Sequence, residues 1–266
     1  MLISKKNKDS KLKISSGLRI NKRILTIIPA YNEEKNIEKV IKDIRKNLVN
    51  TDILIIDDFS SDKTFHIAKR NNAIVLRHPF NMGYASSCQS GFKYALEKGY
   101  GIIIQMDADG QHDPRSILKI LEPINSNKAD LCIGSRFLGK VVYKPSIPRK
   151  IGMVLFSIIT TLFTKQKITD PTSGFQAFNK KVLKLYCTDI YPDDYPDANL
   201  IIMIKLAGIR IMEVPVIMHT NTEKSMHNFF SSILYVIKMT IAIFISLFTK
   251  TYVLNKILED KDGYKT

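Results

Sequence analysis

The sequence predicts an α/β fold with a mostly parallel sheet flanked by helices, and three observations predict it. Short apolar runs alternate with segments of helical periodicity from Ile24 onward. The runs are unbroken rather than alternating, as strands covered on both faces are. At 266 residues and 45% hydrophobic content the chain holds one core plus a short appendage, and is too apolar for a disordered polyelectrolyte.

Residues 1–22 are expected to form a basic N-terminal tail, with Lys5, Lys6, Lys8, Lys11, Lys13, Arg19 and Lys22 against Asp9 alone. The tail has no apolar stretch of the signal-peptide kind, so it is expected in the cytosol. The pattern then gives a strand over 24–28, a helix over 33–48 and a strand over 53–56. A helix from about 61 to 71, a strand over 73–76, a helix from about 84 to 98 and a strand over 101–106 follow.

Ligands of such sheets sit beyond the carboxyl ends of the strands. Three of those ends are acidic: Glu33 and Glu34 after the first, Asp57, Asp58 and Asp62 after the second, Asp107 and Asp109 after the fourth. Converging carboxylates repel unless a cation or ligand donors neutralise them, so a divalent metal is the economical explanation. The same Asp-x-Asp-Gly pattern is also that of a plain turn, because Asp bonds its own backbone and Gly accepts positive φ.

Other chemistries are excluded by composition and spacing. No GxGxxG follows a strand, and the nearest approach to a phosphate loop, 134–141, ends on Val141 where a metal-binding hydroxyl is needed. Cys88, Cys132 and Cys187 are odd in number and far apart, so neither a disulfide framework nor a zinc site is expected. The net charge of +15 suits nucleic acid, an anionic membrane or phosphorylated substrates. The chain carries no nucleic-acid motif and its basic residues flank apolar helices, so no nucleic-acid partner is expected. Arg136, Arg149 and Lys150 are candidate phosphate partners, the arginines through their planar fork of donors.

Between about residues 23 and 238 the chain resembles the family 2 inverting glycosyltransferases of GT-A fold, in particular the polyprenyl-phosphate sugar transferases of the dolichol-phosphate mannose synthase type. The resemblance is carried by Pro29-Ala30-Tyr31-Asn32-Glu33, by Asp57-Asp58 with Ser60, Asp62 and Thr64, and by Asn81 with Gly83. It continues through Asp107-Ala108-Asp109-Gly110-Gln111-His112, Gly134-Ser135-Arg136 and Asp170-Pro171-Thr172-Ser173-Gly174-Phe175. It implies that Pro29, Tyr31 and Glu33 line a donor nucleotide pocket and that Asp57 or Asp58 meets the base or ribose. Asp107 and Asp109 would be its DxD pair, set at i and i+2 to face one Mg2+ or Mn2+, with Gln111 as a further oxygen ligand. Arg149 takes the place of the acceptor-phosphate arginine, and Arg136 is assigned to the same phosphate.

Two departures bear on chemistry. Asp197 stands where similar sequences commonly have Glu; it is either the general base or the cap of a helix beginning near Ala198. After Pro215 similar sequences tend to have an arginine and a glycine, where this chain has 219–226 without arginine and Lys224 as the nearest substitute. His112, His219 and His227 share no ligand spacing and are taken as incidental. The absence of tryptophan removes the QxxRW motif of processive synthases, so single addition is expected.

Two apolar stretches, 151–164 and 229–248, are flanked or interrupted by lysine. The first is too short to span a bilayer and the second carries Lys238 near its middle. On a helical wheel His227, Asn228, Ser231, Ser232, Lys238, Ser246 and Lys250 share one arc of roughly 140°. That is the pattern of an interfacial helix on an anionic membrane surface, with core helices and a true span as the other two options. The expected organisation is therefore a tail over 1–22, a GT-A domain over 23–225 and C-terminal amphipathic membrane-interface helices over 226–266. The expected activity is metal-dependent inverting transfer of one sugar from a UDP- or GDP-sugar to a polyprenyl phosphate at the cytoplasmic face of the membrane, with an integral-membrane partner possible in principle. The alternatives are transfer to a hydroxyl of a lipid-linked or cell-surface glycan, and a non-catalytic nucleotide-sugar-binding module.

Overall fold

The apolar runs form the strands β1 (Ile24–Ala30), β2 (Thr51–Asp57), β3 (Ile74–Arg77) and β4 (Ile102–Gln105) in a computed structural model. β5 (Leu131–Ser135), β6 (Gln176–Asn179) and β7 (Ile211–Pro215) complete a single seven-stranded sheet. The helices are α1 (Ile37–Asn47), α2 (Thr64–Arg70), α3 (Tyr84–Glu97), α4 (Ile117–Asn125), α5 (Ile147–Thr164), α6 (Lys180–Tyr186) and α7 (Ala198–Leu206). The structure describes residues 22–138, 147–189, 191–193 and 196–219, the paired segments 12–13 and 19–20, and positions 238, 240, 241 and 245. Most of the basic tail and of the 226–266 segment therefore lies outside the described residues, as do Lys224, His227 and the side chain of Arg149.

The strand order is β3-β2-β1-β4-β6-β5-β7. All pairs are parallel except those of β6, which runs antiparallel to both β4 and β5. Successive side chains alternate between two cores, as strand geometry requires. Ile24, Ile28 and Ala30 face one core with α1, α2 and α4, while Leu25 and Ile27 face the other with α3, α6 and α7. Each fully buried Ile or Leu contributes roughly 1.5–3 kcal/mol of transfer free energy.

Helix α1 begins at Ile37 rather than at the expected residue 33. Asn32 takes a left-handed conformation (φ 54°), and the Glu33 carbonyl accepts from the amides of Asn36 and Ile37. A turn therefore precedes the first helical residue. Pairing of β1 with β2 runs to Ala30↔Asp57, whereas pairing of β1 with β4 stops at Ile27↔Gln105. The sheet opens between β1 and β4 beyond that point, and α1 and α3 leave on opposite faces, which makes this crevice the topological switch point.

Helix α5 has eighteen residues and two apolar sides. Phe156 packs against Ala198 and Ile202 of α7, while Ile151, Val154, Ile158 and Leu162 are exposed. Of the options for 151–164, one side of the helix is thus core and the other open. Among the described residues no helix is long and apolar enough to cross a membrane.

Candidate active site

The loops after β1 and β2 are laced together. The Asn32 amide donates to Ser60 Oγ at 3.0 Å, Ser61 donates back to Asn32 Oδ1 at 2.9 Å, and the Glu33 amide donates to Thr64 Oγ1 at 2.7 Å. Asp62 receives the amides of Glu34 and Thr64. Pro29 is buried in β1, Tyr31 is half exposed, and Glu33 accepts from the Asn36 side chain at 2.9 Å. The expected pocket residues 29–33 therefore stand on one edge of the crevice.

Asp57 and Asp58 differ sharply in what they have left to offer a ligand. Asp58 is buried, and its carboxylate accepts from the amides of Met82 (2.8 Å) and Gly83 (2.9 Å) and pairs with His78 Nδ1 (2.8 Å). It pins the loop before α3, a task the acidic strand end did not reveal. Asp57 is fully buried and neither of its oxygens accepts a hydrogen bond among the described residues; the Nε of Arg77 lies 3.1 Å from Oδ2. The carboxylates expected to share one cation instead have neutralising partners within the chain, at the second strand end at least.

The end of β4 carries a tighter arrangement. The Tyr84 hydroxyl donates to Asp107 Oδ1 at 2.8 Å and accepts from Gln105 Nε2 at 3.0 Å. Burial of the hydroxyl and the negative charge of Asp107 push the phenol well above its ordinary pKa, so it remains a donor. The Asp107 amide donates to His112 Nδ1 at 3.1 Å, which places the ring proton on Nε2, 3.5 Å from Asp107 Oδ2. The imidazole stacks on Phe175 with centroids 4.9 Å apart. His112 is therefore not incidental: it braces Asp107, and its partners lie far along the chain where no local spacing could announce them.

Gly174 completes the enclosure. A Cβ there would stand 2.7 Å from the Tyr84 hydroxyl and 3.1 Å from Asp107 Oδ1, so any larger residue would push one of these groups aside. The segment 170–175 thus closes on the Asp107 carboxylate, whose side chain keeps 29% exposure toward the crevice.

Asp109 Oδ1 accepts the Gln111 amide at 2.9 Å and Gly110 has φ 75°, so the turn alternative for Asp-x-Asp-Gly is realised. The metal expectation is compatible with it, since each carboxylate has further lone pairs. Among the described residues no group of three or more His, Cys, Asp or Glu side chains is gathered for a metal ion. Asp107, Asp109 and Gln111 offer only hard oxygen donors, the chemistry that suits Mg2+ or Mn2+, and too few of them without substrate oxygens.

Arg136 departs from its expected role. It is buried, its Nε donates to Asp170 Oδ2 at 2.7 Å, and its fork also reaches Thr172 Oγ1 at 2.8 Å. Asp170 is fully buried beneath it, so the guanidinium serves a carboxylate of the chain rather than a phosphate. Glu213 supports the pair from β7, accepting the amides of Thr169 (2.7 Å) and Asp170 (2.8 Å), and burial raises its carboxyl above the usual range. Arg149 lies in α5. Asp197 stands at the N-cap of α7, where its carbonyl accepts the Ile201 amide at 3.2 Å and its side chain makes no capping bond. His219 pairs with Asp113 at 3.3 Å, and its amide donates to the Gln111 carbonyl at 2.8 Å, fixing the far side of the 109–113 turn. A separate cleft of about 260 Å3 lies behind that turn, lined by Lys39, Asp43, Arg115 and His219 among others, and contains neither Asp107 nor Asp109.

Residues 26–186, more than half of the chain, match the family described as glycosyl transferase family 2. A UDP-N-acetylglucosamine–dolichyl-phosphate N-acetylglucosaminyltransferase of Methanococcus voltae is 33% identical over 215 residues, covering 74% of this chain and 85% of the relative. An undecaprenyl-phosphate mannosyltransferase of Micrococcus luteus is 32% identical over 203 residues, covering 73% and 82%. Glucosyl-3-phosphoglycerate synthase from Mycobacterium tuberculosis, solved with Mn2+ and UDP-glucose, superimposes with a TM-score of 0.64 at 16% identity, covering 85% of this chain and 78% of that one. The last likeness carries the fold alone, and it is the mixed, mostly parallel GT-A sheet described above. With the crevice, its braced Asp107 and the sequence match in agreement, the chain belongs to glycosyl transferase family 2 and is a glycosyltransferase.

Proposed function

We propose that this glycosyltransferase moves one sugar from a nucleotide-diphosphate sugar, with UDP or GDP as the nucleotide, to a polyprenyl phosphate. The observation that carries it is the crevice between β1 and β4, with Asp57, ion-paired to Arg77 yet accepting no hydrogen bond among the described residues, on one side and a braced, partly exposed Asp107 on the other. The relatives named for polyprenyl-phosphate acceptors supply the acceptor class. Pro29, Tyr31 and Glu33 line the donor side, and Asp57 accepts from an N–H or O–H of the base or ribose. Asp58 keeps the loop at Met82 and Gly83 in place.

Asp107 and Asp109, with Gln111, would hold Mg2+ or Mn2+. Such an ion, when bound, offsets charge gathering on the leaving diphosphate. Tyr84 holds the Asp107 carboxylate and His112 holds the Asp107 backbone amide, which lowers the cost of reaching the productive geometry. A phosphate acceptor is already a nucleophile at neutral pH and needs no base; Arg149 is assigned to its charge. The exposed side of α5, with Ile151, Val154, Ile158 and Leu162 between the exposed Lys150 and Lys165, is the face we assign to an anionic membrane surface on the cytoplasmic side.

A second reading uses Asp197, the carboxylate at the start of α7. A hydroxyl acceptor would use it as base, and Asp197→Asn would then lower the rate by about 10² to 10⁴. Transfer of radiolabel from UDP- and GDP-sugars to undecaprenyl phosphate, with Mg2+ or Mn2+ and Asp109→Ala as control, tests both. Organic-phase label that needs the metal and survives Asp197→Asn supports the phosphate acceptor. Donor hydrolysis without organic label moves the acceptor to a glycan hydroxyl, and no signal from any donor rejects both.

A further inference from the structure

Phe59 has a conformation and a setting that packing does not explain. Its φ is 64°, in the left-handed region that bulky side chains rarely enter. The residue is 49% exposed, so only part of its apolar surface is buried to offset that conformation. The conformation is imposed from both sides: the Asp58 amide donates to the Ala30 carbonyl at 2.9 Å, and Ser60 and Ser61 are tied to Asn32. A residue tolerant of positive φ, such as Asn or Gly, would sit there with less strain.

The ring's neighbourhood points to a ligand. Arg77 lies 5.8 Å from the Phe59 ring centroid, and its Nε is 3.1 Å from the Asp57 carboxylate, so the three side chains form one cluster at the end of β2. Asp57 is fully buried with both oxygens lacking a hydrogen bond among the described residues. Ala30 pairs in register with Asp57, which brings the half-exposed Tyr31 beside the same strand end. A buried carboxylate that accepts no hydrogen bond among the described residues and is faced by a single guanidinium, next to an exposed π-face, is a combination that recognises a planar heterocycle carrying an N–H on its edge.

We infer that Phe59 is the stacking platform for the nucleobase of the donor, with Asp57 accepting from the edge of the same base. This rests on the donor reading above and adds to it the residue that holds the base face. Strain at this position is then retained because it keeps the ring exposed beside Arg77 at the end of β2.

Equilibrium binding of UDP and of GDP, with Mn2+ present, tests the inference on the full chain and on Phe59→Asn and Phe59→Tyr. Inorganic pyrophosphate is the ligand without a base, and the melting temperature is followed in parallel. Phe59→Asn is expected to weaken binding of the nucleotide that the parent binds by roughly 5- to 30-fold. Its pyrophosphate affinity should stay unchanged and its melting temperature should equal or exceed the parent's, because the left-handed strain is relieved. Phe59→Tyr should bind nucleotide within about twofold of the parent, since the π-face is kept. Unchanged nucleotide affinity in Phe59→Asn overturns the inference, as does a parallel loss of pyrophosphate affinity. A parent chain that binds neither UDP nor GDP overturns the donor reading itself.

Discussion

The hydroxyl of Tyr84, at the first residue of α3, donates to Asp107 Oδ1 across 2.8 Å while receiving the amide of Gln105 at 3.0 Å. The carboxylate that ends β4 is therefore oriented by a helix on the opposite side of the crevice. Tyr84→Phe removes one hydroxyl and little volume. It is expected to lower metal affinity or turnover about 10- to 100-fold, as loss of an orienting partner does, with only a small change in melting temperature. Mn2+ titration of turnover beside a thermal melt separates the two effects.

Gly174→Ala is expected to do similar harm by another route. Its Cβ would come to 2.7 Å of the Tyr84 hydroxyl and 3.1 Å of Asp107 Oδ1, forcing one of them aside. A drop in kcat/KM of at least about 10-fold is expected. The double variant Tyr84→Phe with Gly174→Ala should lose less than the sum of the singles, because removing the hydroxyl vacates the space the new methyl needs. A kinetic cycle over the four proteins gives the answer.

Arg136 and Arg149 should fail in different ways. Arg136→Ala strands the fully buried Asp170 without its counter-charge, and a loss of about 3–5 kcal/mol in folding stability is expected. Arg149→Ala should leave the melting temperature near the parent's and raise KM for the phosphate acceptor. Denaturant unfolding and acceptor kinetics on both variants make the comparison.

Asp130 links the starts of β5 and β7 to the end of β6, through Arg210 at 3.0 Å and Asn179 at 2.9 Å. The Arg210 guanidinium holds its carboxyl well below the usual range, against the opposing effect of burial. A depressed carboxyl contributes stability above its unfolded pKa, near 4, and loses it as pH falls through the folded value. Asp130→Asn should therefore cost about 1–3 kcal/mol at pH 6 to 8. The gap between the two proteins should narrow below about pH 4, as measured by urea unfolding across pH.

The first four strands were legible because their apolar runs are unbroken and their flanking helices periodic. β6 was not: four residues, Gln176-Ala177-Phe178-Asn179, carry no sign of direction, and pairing with β4 and β5 decides it. At the site, Asp107 and Asp109 stood out by spacing, but spacing could not separate Asp57 from Asp58, which differ only in what surrounds them. Arg136 showed a fork of donors and concealed its owner, since Asp170 is 34 residues away. His112 was misjudged for the same reason, its stacking partner Phe175 being visible only in three dimensions.

The antiparallel β6 has a consequence for how the chain is made. It is the sole sheet neighbour of β4 on the side away from β1, and it separates β4 from β5. A nascent chain that has emerged only as far as residue 170 therefore carries four paired strands with β4 left as an open margin, and a fifth with nowhere to dock. Until Gln176–Asn179 leaves the ribosome, that margin is available to other chains, and a truncation there would be prone to aggregate rather than to persist as a smaller module.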